Sequence, residues 1–324
     1  MLRRLLTLVS FALAAITPLG APLAAQQKRP ATTAPAAMLV DTALYSQLAY
    51  RHIGPEGNRV TSVSGVVGDP STYYAGAASG GIWKTTDGAA HWEPIFDKEV
   101  VSSIGSLAVS ASDHNVIWAG TGEPFIRSHI SIGWGVYKST DAGKNWSKMG
   151  LEATGRISRI VIHPTNPEIV YVASMGHSYG PQQERGVYRT VDGGKSWERV
   201  LFVNDSTGIS DLVMDPNNPR ILFAGSWQLE IHTWGRKSGG AGSAIWTSRD
   251  GGTTWKRLKG NGLPEKQVGK IGLALSKANS SRLYSLIETG AYKPTVVAFL
   301  KTCRHVQACI GGHGQFQRDD FAHF

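Results

Sequence analysis

Three glutamates follow apolar segments at matched positions of the chain, which is where acid–base chemistry would be sought first. Glu123, Glu230 and Glu288 each come shortly after a run of β-branched and aromatic residues. Two carboxylates facing each other across a glycosidic bond are the groups that hydrolyse it. Carboxylates at such positions also cap turns or pair with arginine. The sequence leaves open both a catalytic pair and a structural role.

A second set of residues has the side chains that bind ligands. Arginine clamps acidic groups, and tryptophan stacks on a sugar ring or a peptide side chain. The same aromatics also anchor long loops, and the histidine spacing supports no metal site. We expect no metal and no cofactor. The ligand-binding candidates are Arg59, Arg127, His129, Trp134, Arg156, His177, Tyr179, Trp227, His232, Trp234 and Arg236.

The elements that position these residues are set by a phrase that occurs four times. It reads [ST]-x-D-x-[GA]-x-x-W, and its aspartates Asp87, Asp141, Asp192 and Asp250 are 54, 51 and 58 residues apart. A period of this size marks a repeat architecture. We assign the phrase to the scaffold. Its structural residues are Thr85, Asp87, Trp92, Ser139, Asp141, Gly143, Trp146, Thr190, Asp192, Gly194, Trp197, Ser248, Asp250, Gly252 and Trp255.

Each repeat contains four short strand patterns divided by turns rich in Pro, Asn and Asp, such as Asp215-Pro-Asn-Asn-Pro219. Four antiparallel strands in about 50 residues are typical of a propeller blade. We therefore predict an all-β fold, a β-propeller of four complete blades and a partial fifth. The propeller spans 57–290, with blades at about 57–98, 101–152, 155–202 and 207–260 and a partial blade at 268–290.

Strand direction alternates within a blade, so the turns of a blade fall on two ends. The four repeated phrases share one end. The other end collects the connections between second and third strands at 120–134, 174–185 and 225–243, which we predict as loops. Arg59, Arg156 and Lys270, which lead into first strands, join the same rim. A binding site is expected there, because functional residues concentrate on loops held by a rigid scaffold.

The phrase resembles the Asp box of bacterial-neuraminidase repeats, found in sialidases, xyloglucan-active hydrolases, sortilin-type receptors and photosystem assembly factors. The stretch from about Gly57 to Gly290 is similar to the sortilin-like N-terminal region of large secreted bacterial proteins. The resemblance implies a protein- or glycan-binding module, with a glycoside hydrolase as the alternative.

In xyloglucan-active hydrolases a catalytic Asp lies in Tyr-Ala-Arg-Thr-Asp-Ile-Gly-Gly. This chain has Tyr74-Ala-Gly-Ala-Ala-Ser-Gly-Gly81, so Ala78 takes the Asp position. The Arg-Ile-Pro phrase of sialidases is absent from the sequence.

The two ends of the chain differ from the repeats. Residues 1–25 read as a signal peptide, with Arg3 and Arg4 before a short apolar run, and 26–56 as an Ala/Thr/Pro-rich linker. We expect a secreted or periplasmic protein with no membrane span. The tail 291–324 contains no box and both cysteines, Cys303 and Cys309. We expect this tail to be out of frame or truncated, which would leave the propeller incomplete.

The charge of the chain excludes one class of partner. The formal net charge is +9, and the signal peptide and the tail carry part of it. The remaining basic residues are scattered, without the basic stripe or reading motif of a nucleic-acid-binding domain. The expected partner is therefore a protein, peptide or glycan ligand and not a nucleic acid.

Overall fold

The computed structural model describes residues 54–55, 59–126, 130–260 and 262–289 and the backbone of 297–301. The proposed signal peptide, most of the linker and most of the tail lie outside these residues. The described part is almost entirely β-structure, as predicted. Its only described helical segment is a single 3-10 turn at Glu152–Thr154. None of the helical structure described is long and apolar enough to cross a bilayer.

Five antiparallel sheets follow one another along the chain, and each is one blade. The first blade contains β1 (Val60–Val66), β2 (Asp69–Ala77), β3 (Ile82–Thr85) and β4 (Glu93–Pro94). The second contains β5 (Ile104–Val109), β6 (Ile117–Thr121), β7 (Val136–Ser139) and β8 (Ser147–Lys148). The third contains β9 (Ile157–Ile162), β10 (Val170–Ser174), β11 (Gly186–Thr190) and β12 (Glu198–Leu201).

The fourth blade contains β13 (Thr207–Met214), β14 (Leu222–His232), β15 (Gly235–Ser238), β16 (Ala244–Ser248) and β17 (Lys256–Arg257). The fifth contains β18 (Val268–Leu275), β19 (Arg282–Thr289) and β20 (Val297–Lys301). Strand β20 pairs with β19, from Arg282 opposite Lys301 to Leu286 opposite Val297. The sequence analysis placed no strand after Gly290. The structure thus adds to the fifth blade a third strand from the segment that we assigned to the tail.

The first strands of successive blades lie side by side, and polar side chains link each to the next. Three of the linking residues, Thr61, Ser158 and Ser210, lie at β-bulges of their first strands. These hydroxyls donate to backbone carbonyls of the following blade: Thr61 to Ile104 (2.5 Å), Ser158 to Ile209 (2.5 Å) and Ser210 to Ile271 (2.7 Å). Return bonds run from the backbone N–H of Leu107 to Ser62 (2.8 Å), of Ile160 to Ser106 (2.9 Å) and of Leu273 to Asp211 (2.8 Å).

The apolar core consists of clusters between neighbouring blades. Between the first and second blades, Tyr74, Ile104 and Tyr137 are buried together. Between the second and third, Trp118 and Ile157 are fully buried, and Trp118 meets the box residue Trp197 edge to face at 5.8 Å. Each blade therefore completes the core of its neighbour, as expected for a repeat that cannot bury its own face alone.

The four Asp boxes fold into the same turn. In the third box the backbone N–H of Gly194 donates to Thr190 Oγ1 (2.9 Å), and that of Ser196 donates to Asp192 Oδ1 (2.9 Å). Thr190 also donates to Asp192 (2.8 Å). Bonds of the same kind recur around Asp87, Asp141 and Asp250.

These bonds stabilise the ionised aspartates. The bonds from Asn145 to Asp141 and from Thr254 to Asp250 lower the pKa of each carboxyl to about 2. Two consecutive residues of every box take positive φ, and Gly143, Gly194 and Gly252 adopt it without a Cβ. In the first box Ala89 takes this conformation instead, at φ 73°. The boxes thus form a polar turn that repeats from blade to blade.

The box tryptophans reach the preceding blade in two cases. Trp146 Nε1 donates to the carbonyl of Ile95 (2.9 Å), and Trp197 Nε1 donates to that of Met149 (2.7 Å). Trp255 Nε1 instead bonds the carbonyl of Gly252 within its own turn (2.9 Å).

Candidate functional site

The end of the propeller opposite the boxes, called here the loop end, carries the connections between second and third strands. In the second and third blades these are the segments between β6 and β7 and between β10 and β11. In the fourth blade the expected loop 225–243 is not a loop. Strand β14 runs on to His232 and turns back through β15, forming a hairpin paired from Leu229–Ser238 to His232–Gly235. Apolar and polar residue types alternate from Trp227 to His232, which is the period of a strand and explains why β14 continues into this stretch.

A lysine lies between two aromatic rings at the loop end. Lys270 Nζ is 4.6 Å from the ring centroid of Phe125 and 5.5 Å from that of Trp227. These three residues come from the fifth, second and fourth blades. Burial lowers the pKa of the Lys270 amine, while ring faces attract a cation that has left water. No described carboxylate forms an ion pair with this ammonium group.

A chain of hydrogen bonds holds the residues around this lysine. Trp227 Nε1 donates to Ser238 Oγ (2.9 Å), and Ser238 donates to Glu288 Oε2 (2.6 Å). Glu288 Oε2 also accepts the backbone N–H of Lys270 (2.8 Å). The indole is therefore fixed in orientation. Trp227, for which the sequence left open ligand binding and loop anchoring, is only 5% exposed. Its ring presents one face to Lys270 and packs by the rest against Met175 and Leu229.

The first two blades contribute an ion pair next to this cluster. Arg59 Nη2 lies 2.6 Å from Glu123 Oε1. The glutamate side chain is fully buried, whereas the arginine is half exposed and lies 6.0 Å from the Phe125 ring centroid. Glu123 is thus held by a cation, and Arg59 keeps an exposed side. Glu123 and Glu288, two of the three carboxylates proposed for catalysis, are already engaged by neighbouring groups.

Two further arginines are buried at the loop end without a carboxylate partner among the described residues. Arg156, expected on the exposed rim, is fully buried. Its Nε donates to the carbonyl of Gly176 (2.8 Å) and its Nη2 to that of His177 (2.9 Å), while Nη1 is buried without a bond. Arg185 donates to the carbonyls of Ser206 (2.7 Å) and Gly180 (3.2 Å). Burial, and secondarily Arg185, lowers the pKa of Arg156 to about 10.

These arginines correct the expectation of an Arg156 clamp on the surface. A guanidinium group has five N–H donors, so backbone carbonyls can hold it inside the protein where the loop turns back on itself. Arg156 therefore shapes the 174–185 loop. Its charge still adds to that of Lys270 and Arg185 beneath the loop end, and this part of the molecule is cationic.

The remaining predicted residues differ in exposure. Trp134, Tyr179 and Trp234 are 53%, 61% and 84% exposed. Lys148 Nζ lies 4.7 Å from the Trp134 ring centroid, and the exposed Arg236 flanks Trp234 in the hairpin. His232 stacks on Trp234, with ring centroids 4.9 Å apart. Glu230 lies 3.8 Å from Lys237 Nζ.

Two of the predicted residues, Arg127 and His129, lie outside the described part. No group of three potential metal ligands forms among the described residues. Phe125 and Arg185 were not among the residues predicted from the sequence. Neither has a counterpart in the other repeats, so no pattern in the sequence indicated that Phe125 would meet a lysine three blades further along the chain.

Comparison with known proteins supports the fold. Residues 135–285 match the family model described as Sortilin, neurotensin receptor 3 (Sortilin-Vps10). A xyloglucanase of Acetivibrio thermocellus is 25% identical over 221 residues, 58% of this chain and 24% of that protein. A probable oligoxyloglucan-reducing end-specific xyloglucanase of Neosartorya fischeri is 28% identical over 139 residues, 40% of this chain and 15% of that protein. The chain spans a quarter or less of these relatives' length.

Solved structures agree at the level of the fold. An ancestral GH74 enzyme superposes with a TM-score of 0.56 at 18% identity, covering 73% of this chain and 30% of that one. The GH74 enzyme of Niastella koreensis superposes with a TM-score of 0.54 at 17% identity, covering 71% of this chain and 34% of that one. The resemblance predicted from the repeated phrase is confirmed.

Proposed function

Since the chain is an Asp-box β-propeller whose residues 135–285 match the Sortilin-Vps10 family, we propose that it is a binding module for a protein or glycan ligand. The ligand sits on the loop end and contacts the segments 120–134, 174–185 and 225–243. The proposed signal peptide at 1–25 supports a secreted or periplasmic location.

The observation that carries this proposal is the position of Lys270 between Phe125 and Trp227. This ammonium group forms no direct ion pair with a described carboxylate, although Asp211 and Glu288 are near enough to favour its charged form. A cation in this position attracts an anionic ligand. Arg59 adds an exposed cationic edge beside the same phenyl ring. The site therefore favours a ligand that carries a carboxylate next to an apolar or ring-shaped group. Acidic peptides and acidic sugars share this chemistry.

A glycoside hydrolase is the second candidate, because the matching relatives named above are xyloglucanases. Two carboxyl groups free to exchange protons and to approach the scissile bond would be required. Glu123 instead lies 2.6 Å from Arg59, and Glu288 accepts two hydrogen bonds. Ala78 occupies the position of a catalytic Asp in the xyloglucanase phrase and is buried. These contacts favour binding over hydrolysis.

The test is a screen of the purified chain on peptide and glycan arrays, followed by affinity measurements on Lys270→Met. Methionine keeps the apolar stem between the two rings and removes the charge. The dissociation constant for an acidic ligand should rise about tenfold or more, the effect of losing one charge-assisted contact. Lys256→Met, on the exposed outer strand β17, is the matched control and should leave the affinity unchanged.

Two results would contradict the proposal. One is an affinity that does not change in Lys270→Met for every ligand found. The other is release of sugar from xyloglucan by the wild-type chain that disappears in Glu123→Gln, which would support the hydrolase.

A further inference from the structure

The hairpin of the fourth blade projects from the sheet. Strand β14 is 11 residues long, but it pairs with β13 only as far as Gln228 and with β16 only as far as Ser226. Beyond these points it pairs only with β15. His232 is four residues past Gln228, which corresponds to about 13 Å of strand. We call residues 229–238 the arm.

The base of the arm is fixed in the protein. Leu229 is buried with Trp227 and Met175, and its backbone N–H donates to the carbonyl of Ser206 (3.2 Å). On the returning strand Ser238 bonds both Trp227 and Glu288. Because both strands are anchored at the base, the tip is held in a defined direction away from the blade.

The tip presents an aromatic side chain and positive charge to solvent. Every residue from 232 to 237 is exposed, and Trp234 is 84% exposed. The His232 ring covers one face of the indole at an interplanar angle of 7°. Lys237 has only a 3.8 Å contact with Glu230, and Arg236 pairs with no described carboxylate. The tip therefore places one large aromatic ring and two cations together on a projection that is anchored at its base.

The shape of the tip decides between kinds of partner. Sites for small ligands and sugars are concave and bring several polar groups around one ring. This tip is convex, one face of its indole is already covered, and the residues around it are themselves exposed. Tryptophan with neighbouring arginine and lysine is the combination that settles at the boundary between lipid headgroups and acyl chains.

We propose that the arm docks this protein on an anionic lipid surface, with Trp234 inserted at the headgroup boundary and Arg236 and Lys237 facing the phosphates. Only the tip of the arm meets the lipid, whereas the base of the segment 225–243, beside Lys270, holds the ligand of the proposed function. Docking by a single indole and two cations is peripheral and reversible, and salt weakens it.

The experiment is co-sedimentation of the purified chain with phosphatidylcholine vesicles that contain or lack phosphatidylglycerol. The wild-type chain should partition more strongly into the anionic vesicles. Trp234→Ala should lower this partition by about tenfold or more, because the indole supplies most of the apolar area of the tip. Arg236→Gln should lower it about fivefold in anionic vesicles and leave neutral ones unchanged.

Matched controls come from the opposite end of the molecule. Val191→Ala and Arg249→Gln alter an exposed apolar and an exposed basic residue in Asp boxes, and neither should change partition. Lys270→Met should also partition normally, so a failure of the proposed function is distinguishable from a failure of this inference. Absence of wild-type partition, or equal partition of Trp234→Ala and wild type, would overturn it. Loss of a protein or glycan ligand in Trp234→Ala without vesicle binding would assign the arm to that ligand instead.

Discussion

The two ends of this propeller are built in opposite ways. At the box end, four turns from four blades use the same residue types and the same hydrogen bonds. At the loop end, the connections of successive blades share almost nothing in length or content, and the fourth becomes a hairpin. Repetition at one end stabilises the fold, and variation at the other brings together the residues that we propose bind a ligand.

The difference extends to electrostatics. At the box end each carboxylate is satisfied by neighbours within its own turn, and the pKa of the carboxyl falls. At the loop end burial lowers the pKa of both Lys270 and Arg156. The charges of Asp211 and Glu288 oppose this shift at Lys270, whereas Arg185 adds to it at Arg156. Buried charged groups with shifted pKa values are concentrated at functional sites, where a ligand of opposite charge can stabilise them.

The largest effect is expected for Thr190→Val in the third box. Valine keeps the shape of the side chain, but the buried N–H of Gly194 loses its acceptor. The free energy of unfolding should fall by about 1–3 kcal/mol, measured by urea denaturation. Thr190→Ser retains the hydroxyl and should lose much less. Ligand affinity of the folded fraction should not change, and a change would show that the two ends are coupled.

A smaller effect, an increase in the free energy of unfolding, is expected for Ala89→Gly in the first box. Ala89 has φ 73°, where the other boxes have glycine. Removing the Cβ relieves about 1 kcal/mol of backbone strain. Ala90→Gly is the control, because Ala90 lies outside the positive-φ residues and its substitution only adds freedom to the unfolded chain. Equal thermal midpoints for the two variants would contradict this account of the first box.

The smallest effect is expected for Asp250→Asn, whose loss of stability should depend on pH. Bonds from Thr254, then Ser248, lower the pKa of this carboxyl to about 2 in the folded protein, against an ordinary value of 3.8. A lowered pKa means that the ionised carboxylate stabilises the fold above about pH 4. That contribution disappears as the pH falls from about 4 through 2. Asp250→Asn should therefore be less stable than wild type at neutral pH, and the gap should close near pH 2.

Urea denaturation across this pH range measures the gap directly. A constant difference between Asp250→Asn and wild type at all pH values would mean that the charge of Asp250 does not contribute.

The fold could be predicted because its signals are local and repeated. The box fixes a turn from eight consecutive residues, and its recurrence gives the blade and its period. For the candidate site, the sequence predicted the end of the propeller on which it lies but not the contacts between its side chains. Phe125, Trp227 and Lys270 come together from three blades, and no local pattern records such a meeting. Buried Arg156 was misjudged for the same reason, since the carbonyls that hold it lie about 20 residues further along.

The hydroxyl links between first strands have a consequence for how the molecule comes apart. Each link joins one blade only to the next, through Thr61, Ser158 or Ser210. Ser62, Ser106 and Asp211 accept the return bonds in the first, second and fourth blades. The matching position of the fifth blade is Gly272, which has no side chain to accept such a bond. No described atom lies within 4 Å of the place that a Cβ of Gly272 would take. Among the described first strands, these links therefore couple each blade to the next in chain order. Opening the first blade breaks one of these junctions, whereas opening an inner blade breaks two.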